Sequence, residues 1–573
     1  MAGVDGPDRE ERLVRRAEAA LDRLDPRVLL AVAVTGSGAL LLILLSHLTF
    51  FGDDWDPLLY RRGFNLDVLL RPHAEHILLA PTLIYKGIQA TIGMESLVPY
   101  AVISTASFLV SAVLLFFYLR RRVGDWLALA ALLPVLFMGT AWEVLLWPFE
   151  VSFTASMATG TGALLALERD DERGDAVACA LLVVSLTFSE LAIPFVLGAA
   201  VWMILARRSW SRAYVLVVPL VLYAAWYAGW GHTAQSHVSV HNLVHSPKYV
   251  LAGLASTAGS LLGVPNKVSI WVGLPLLLLV VVVAVVRFRS TKPLPRSFWS
   301  ALAILLAFWF LDAINEIPGR GPNASRYQYV GAFLLLMVLA ELAGGIRLRR
   351  PVLLGALGIA SLAVITNLVV LGYYYERMSD WATRARGALA AFQVGGASAD
   401  PNFVTGPANT DIVSLNSLQV GLYLSAVDAF GSPAYGASEL ANAPEEARVA
   451  ADQLLADAEE LRLMPVDRPP PPGGPPPRVA GATRRAAAPR GSCLTVPGAD
   501  DASPPVDLPR PGVTVSGPVG SVEIVELRRF ASSFPVRYEL RGVGVLLIRT
   551  DRSPRPWQLR VSGPGPTRIC GIG

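Results

Sequence analysis

The sequence predicts an α-helical polytopic membrane protein of about eleven transmembrane helices, followed by an extracytoplasmic C-terminal domain of α+β or β-sandwich character. Three observations predict this. Of 573 residues, 53% are hydrophobic and only 16% are charged, whereas soluble domains are usually about a quarter charged. Apolar runs close to the roughly 20 residues that cross a hydrocarbon core crowd residues 28–373. Arg and Lys gather in the short stretches between alternate runs: Arg120–Arg122, Arg207–Arg208, Arg287–Lys292 and Arg347–Arg350. That is the positive-inside pattern, not a nucleic-acid patch.

Element by element, residues 1–27 read as a cytoplasmic amphipathic segment. The first span covers about 28–50. A polar segment, 51–76, leads to a moderately apolar stretch, 77–96, interrupted by Pro81, Lys86 and Gln89, which reads as an interfacial helix. Further spans are expected at 97–119, 126–141, 151–167, 176–189, 191–206, 213–229, 269–287, 298–313, 328–345 and 352–373. Residues 248–265 are too weakly apolar for a span and read as a half-membrane or interfacial helix. A cytoplasmic N-terminus puts the basic stretches inside, and the odd count then places the C-terminal domain outside; the Ala/Arg/Gly/Pro-rich composition points to a high-GC bacterium and so to a plasma membrane.

After the 28–373 membrane domain, residues 374–464 read as an extracytoplasmic α/β segment with strand-like FVTGP and DIVSL. Residues 465–491, rich in Pro and lacking apolar content, read as a stiff exposed linker. Residues 492–573 alternate short β-like runs with Gly/Pro turns and read as a β-rich domain. Cys493 and Cys570 fall in this exported part and are disulfide candidates, while Cys179 lies in an apolar run.

The candidate chemistry gathers on the outer side. Asp53 and Asp54 follow the first span directly, in Phe50-Phe51-Gly52-Asp53-Asp54-Trp55. Adjacent carboxylates at a membrane surface cost solvation energy unless water, a cation or a substrate compensates. A solvated loop end anchored by Trp55 is the bland alternative. The same side holds Arg71, His73, Glu75 and His76 in RPHAEH, Glu143 and Glu150 in AWEVLLWPFE, Glu190 between two apolar runs, and Arg320, Arg326 and Tyr327 in NEIPGRGPNASRYQY. Each has a structural alternative. Arg326 could anchor a helix end at the headgroups, and Glu190 could cap a turn. His73, Glu75 and His76 are of metal-ligand type but lack a standard ligand spacing. His232, His237, His241 and His245 read as loop residues, and Trp142, Trp147 and Trp226 as interfacial belt. The cytoplasmic loops offer no comparable set, and no phosphate loop or dinucleotide fingerprint is present.

An acidic pair after the first span, a long first external loop, many spans, Ser325-Arg326-Tyr327 opening a late span and an external C-terminal domain resemble the GT-C glycosyltransferases over roughly 28–373. The resemblance implies transfer of a hexosyl or pentosyl group from a polyprenyl-phosphate donor to a cell-envelope glycan, lipid or protein acceptor at the outer face. It makes Asp53 or Asp54 the general base. Arg326, Arg320, Arg71 and Lys86 become candidates for the leaving phosphate. No cofactor is required by this reading, with a divalent cation left open. The partners are the lipid-linked donor, the acceptor and the bilayer, without nucleic acid. Two other classes stay in view: a transporter or flippase of lipid-linked glycans, and a non-catalytic scaffold that binds envelope glycan. A transporter would carry ionisable residues at mid-membrane in paired halves, whereas here they collect at one side, with Asp312 the main exception.

Overall fold

The computed structural model describes residues 24–206, 210–289, 293–346, 349–407, 411–481, 491–497 and 503–573. Most of the predicted N-terminal amphipathic segment, Arg207–Arg208, Lys292, Arg347 and part of the Pro-rich stretch lie outside them. Two compact units result. The first runs to His47 and resumes over Arg61–Ile88 and Val98–Arg377; the second comprises Leu48–Tyr60, Gln89–Leu97 and Met378–Gly573.

In chain order the helices are α1 (Pro26–Leu45), α2 (Leu66–Leu70), α3 (Leu79–Thr91), α4 (Val98–Val123), α5 (Asp125–Leu136), α6 (Trp142–Leu146), α7 (Val151–Leu167), α8 (Glu172–Phe188), α9 (Ala192–Leu205), α10 (Tyr214–Gly229), α11 (Val240–Leu261), α12 (Asn266–Phe288), α13 (Arg296–Ile314), α14 (Ser325–Leu342) and α15 (Arg350–Gly395). Among the described residues, five helices are long and apolar enough to cross a membrane: α1, α4, α12, α13 and α15. α5 and the Gly139–Leu146 segment, bent by 45°, qualify together as a sixth. The other predicted spans coincide with shorter helices, α7 to α10 and α14, of 14 to 18 residues. The last predicted span is only the opening of α15, which continues to Gly395 over 46 residues.

Small residues set the helix spacing in the first unit, as expected where helices pack without a hydrophobic drive between them. α11 and α12 form a close hairpin in which a Cβ on Gly273 would stand 1.6 Å from the Ala255 carbonyl oxygen, and one on Gly259 2.3 Å from that of Ser269. Ser256 and Ser269 join their hydroxyls across it at 2.6 Å.

Ion pairs knit the basic loops together. Arg121 and Arg122 both hold Glu168 at 2.5 Å, and Arg122 also holds the buried Glu341. Ser297 donates to Glu341 at 2.7 Å, Arg27 reaches Asp125 at 3.3 Å, and Arg212 reaches Asp175 at 3.1 Å. A second set of loops meets at the opposite helix ends. α13 shows the polarity: Arg296 at its start faces Asp170 at 3.7 Å, while the Ile314 carbonyl at its end accepts from Asn242 at 3.2 Å.

α11 spans 22 residues, about 33 Å at 1.5 Å per residue, which would suffice for a crossing. Asn242 near its start donates to the carbonyls of Ile314 and Glu316, and Asn266 just beyond its end exchanges two hydrogen bonds with Asn323, each 3.0 Å. Both ends are thus tied to the segment that connects α13 to α14.

In the second unit, α16 (Val420–Phe430), α17 (Ala437–Leu440) and α18 (Glu445–Ala458) precede ten strands. The strands are β1 (Leu463–Pro465), β2 (Arg478–Val479), β3 (Cys493–Val496), β4 (Val506–Asp507), β5 (Gly512–Ser516), β6 (Val522–Arg528), β7 (Val536–Arg541), β8 (Val543–Leu547), β9 (Gln558–Ser562) and β10 (Thr567–Gly571). They form two five-stranded antiparallel sheets, ordered β1-β8-β5-β10-β3 and β2-β4-β9-β6-β7. A disulfide joins Cys493 to Cys570, which face each other on β3 and β10.

Three expectations are corrected here. The predicted linker is not free over 465–481: β1 and β2 extend the two sheets, and the amides of Gly473 and Gly474 donate to Gly571. Proline lacks a donor but its carbonyl still pairs, so a Pro-rich strand is tolerated at a sheet edge. Residues 374–464 and 492–573 are not separate bodies, because Leu440, Ala451 and Leu455 share one core with Val525, Leu546 and Trp557. FVTGP and DIVSL build no ladder: Val404 makes a single bridge to Gln419, and Val413–Leu415 is a 3-10 turn.

Candidate functional site

In the first unit, the loop before α3 is organised by buried cations. Arg61 is 1% exposed and donates to the carbonyls of Val68 and Arg71, at 3.2 and 2.7 Å. Lys86, 7% exposed, donates to the Arg61 carbonyl and lies 4.7 Å from the centre of the Phe64 ring. Burial, then the nearby Arg61 charge, lowers the Lys86 pKa. Lys86 is engaged in holding the loop together, which departs from its expected part as a phosphate ligand. Arg71 is exposed.

The loop then makes a tight turn. His73 and His76 exchange both backbone hydrogen bonds, at 3.0 and 2.8 Å, and Ala74 between them takes φ 48°. The His73 ring packs against Phe149. The turn hands Glu75 and His76 to residues from distant segments. Glu75 Oε1 accepts from Arg320 Nη1 at 2.6 Å, and His76 Nδ1 meets Glu190 Oε1 at 2.5 Å. His76 Nε2 stands 3.9 Å from Glu75 Oε2. Arg320, Glu75, His76 and Glu190 therefore form one chain of polar contacts.

Local backbone explains the other members. Glu190 sits in the turn between α8 and α9, where the Ser189 hydroxyl accepts from the Leu191 amide at 3.3 Å. Arg320 follows Gly319, whose φ of 88° suits glycine in a tight turn. Tyr249 on α11 donates to the Arg320 carbonyl at 2.9 Å and fixes that segment. Burial opposes ionisation of Glu75, but the Arg320 guanidinium and then His76 outweigh it, and its carboxyl lies below the ordinary range. Arg320 is raised in turn: burial lowers it, and its bond to Glu75 more than restores it.

Glu143 and Arg326 form a second pair. The Arg326 amide donates to Glu143 Oε2 at 3.0 Å, and the Glu143 amide donates to Ser325 Oγ at 3.2 Å. Glu143 thus caps the N-terminus of α14, where a carboxylate is favoured by the helix dipole. The Arg326 guanidinium lies 3.6 Å from Glu143 Oε1 and beside the ring of Tyr327, which is 7% exposed. Asp312, near the end of α13, lies within electrostatic reach of Glu190, Arg326 and Arg320 and so links the two groups. Its Oδ2 is shielded from solvent and has no hydrogen-bond partner among the described residues. Glu150 is 3% exposed, in the turn before α7.

The acidic pair belongs to the second unit. Its loop is anchored there by Trp55, whose Nε1 donates to the Ser414 carbonyl at 2.9 Å, and by Tyr60, whose hydroxyl donates to the Ser417 carbonyl. Phe51 stacks on Trp381 at 5.7 Å. The two aspartates differ. Asp54 is fully buried and its Oδ2 accepts from the Phe51 amide at 2.8 Å, closing the 3-10 turn Gly52–Asp54 from within. Asp53 is partly exposed.

Sequence reading pointed to Glu75, His76, Glu190, Arg320, Glu143 and Arg326 one by one, but not to who meets whom. It missed Tyr249, whose sequence context carries no signal. It noted Asp312 only as an ionisable residue in a span. Among the described residues no group of three or more His, Cys, Asp or Glu side chains is arranged to hold a metal ion.

No protein-family model and no curated protein matches the chain. Among solved structures, the crystal structure of ArnT from Cupriavidus metallidurans bound to undecaprenyl phosphate is similar over 71% of this chain and 85% of that one, with 14% identity and a TM-score of 0.41.

Proposed function

We propose that this chain is a membrane glycosyltransferase that moves a sugar from a polyprenyl-phosphate donor to a cell-envelope acceptor on the extracytoplasmic side. The observation that carries the reading is the Arg320–Glu75–His76–Glu190 chain, assembled from three separate connecting segments at one set of helix ends. Half-buried charges of both signs at a membrane surface are costly, and they persist where a polar substrate is handled.

The residues divide the chemistry as follows. An acceptor hydroxyl attacks the anomeric carbon and a new C–O bond forms. The bond from that carbon to the phosphate oxygen breaks, and its electron pair leaves with the polyprenyl phosphate. The hydroxyl proton passes to a carboxylate, for which Asp53 is the choice over Asp54. Asp54 spends its carboxylate on the Phe51 amide in full burial, whereas Asp53 is reachable. A positioned base of this kind contributes typically about 10²- to 10⁴-fold. Arg320 and Arg326 each keep guanidinium donors beyond those given to Glu75 and Glu143, and such donors suit a leaving phosphate. Glu190 and His76 are suited to hold sugar hydroxyls.

The experiment supplies purified protein, reconstituted in lipid, with polyprenyl-phosphate-linked sugars and an envelope extract. Acceptor-dependent release of free polyprenyl phosphate is expected. Release from a nucleotide sugar instead, or none from any lipid-linked donor, overturns the reading.

A further inference from the structure

The structure of α11 divides its circumference into three sectors, at about 3.6 residues per turn. One faces protein: Asn242, Ser246 and Tyr249 are each buried. The opposite sector is apolar yet open, with Val240 78%, Val244 68% and Leu251 51% exposed. Along the boundary between them run His241, His245 and Lys248, all exposed. The two imidazoles stack with centroids 4.1 Å apart. His245 Nδ1 donates to the His241 carbonyl at 2.9 Å, which fixes its ring and leaves Nε2 available. Among the described residues, none of the three is paired with a carboxylate.

Asn242 ties the start of α11 to the end of α13, a helix long and apolar enough to cross a membrane, so the first turns of α11 lie near the level of the headgroups. A helix with an apolar face and a border of basic residues at that level has the arrangement by which interfacial helices hold lipid. We propose that His241, His245 and Lys248 bind the phosphate of an anionic phospholipid of the surrounding bilayer, with Val240, Val244 and Leu251 against its acyl chains. A bilayer lipid is the occupant, and not the donor, because this border continues directly into the open apolar sector. The charged groups of the candidate site are half-buried and already partnered. The inference does not depend on the transferase reading.

The test is native mass spectrometry of the full-length protein in detergent at pH 6, titrated with phosphatidylglycerol or phosphatidylcholine. Wild type is expected to hold phosphatidylglycerol at least about tenfold more tightly, because basic side chains near an anionic lipid headgroup favour its binding. H241Q/H245Q/K248Q should bring the preference to within about twofold. The charge-retaining H241K/H245K/K248R should keep it, which separates charge recognition from a general disturbance of the helix. Equal preference in wild type and the glutamine variant overturns the proposal. So does displacement of bound phosphatidylglycerol by equimolar undecaprenyl phosphate, which would assign the border to the donor lipid.

Discussion

Consider the replacement of Glu75 by glutamine, Arg320 by glutamine, and both together. The carboxylate and guanidinium meet at 2.6 Å with side chains only 15% and 18% exposed. Exposed pairs contribute about 0–1 kcal/mol, whereas breaking a fully buried pair costs about 3–5 kcal/mol. This pair lies between, so each single substitution should cost about 2 kcal/mol. E75Q leaves Arg320 half-buried without its partner; R320Q leaves Glu75 facing His76 alone. The double substitution should cost less than the two singles together, with a coupling of about 1–2 kcal/mol. Glu75 has a lowered pKa in the folded protein, so its contribution is fully present above the ordinary carboxylate range. It is lost as pH falls through the folded value, below about 4.3. The coupling should therefore be full at pH 7 and shrink only under strong acid. The assay is unfolding of the four proteins in detergent, read as a double-mutant cycle. A coupling below about 0.3 kcal/mol at pH 7 would mean that the two residues do not share a site, and the charged chain would dissolve as an idea.

Other consequences follow from the same structure. Leucine at Gly273 would drive side-chain atoms into the Ala255 backbone, where even a Cβ stands 1.6 Å from the carbonyl oxygen; the α11–α12 hairpin should open, with a loss of at least about 3 kcal/mol, read as new protease cleavage near 262–265. Burial pushes the Asp452 carboxyl up to about 6 and that of Glu459 up to about 7. Raised carboxylates favour folding below the unfolded pKa of about 4 and lose that contribution as pH rises through 6 to 7. Hydrogen exchange corrected for chemical rate should thus show peptides 445–460 better protected at pH 5 than at pH 8, by about 1.4 kcal/mol from Asp452, whose folded value of about 6 lies one unit above pH 5; equal protection would contradict it. Reducing the Cys493–Cys570 disulfide, whose ends are 77 residues apart, should destabilise the β region by about 4 kcal/mol on the chain-entropy account. A C493S/C570S variant that melts with wild type would contradict that.

The helices were legible because hydrocarbon-length apolar runs and basic loops leave a strong compositional mark. That is why each predicted span finds a helix and why the basic loops meet each other. α11 was harder, since Lys248 and Pro247 dilute its apolar content; only its hydrogen bonds reveal that both ends are tied to the segment between α13 and α14. The Pro-rich 465–481 stretch misled because its place is earned by backbone pairing, which composition does not report. The chemistry was legible by residue type alone. Nothing in the spacing of residues 75, 190 and 320 says that they meet, since those contacts are made by the packing of α8, α9, α13 and α14. The distinction between the adjacent aspartates rests on a 3-10 turn that buries Asp54 and keeps Asp53 partly exposed. No pattern in the sequence separates them.

The most direct test of the transferase account is single-turnover transfer from a bound polyprenyl-phosphate sugar, compared among wild type, D53N and D54N at equal donor occupancy. D53N should retain donor and insert normally, yet transfer at least about 10²-fold more slowly. D54N should show its main defect in stability, through the turn it closes. Transfer by D53N at the wild-type rate would contradict the account.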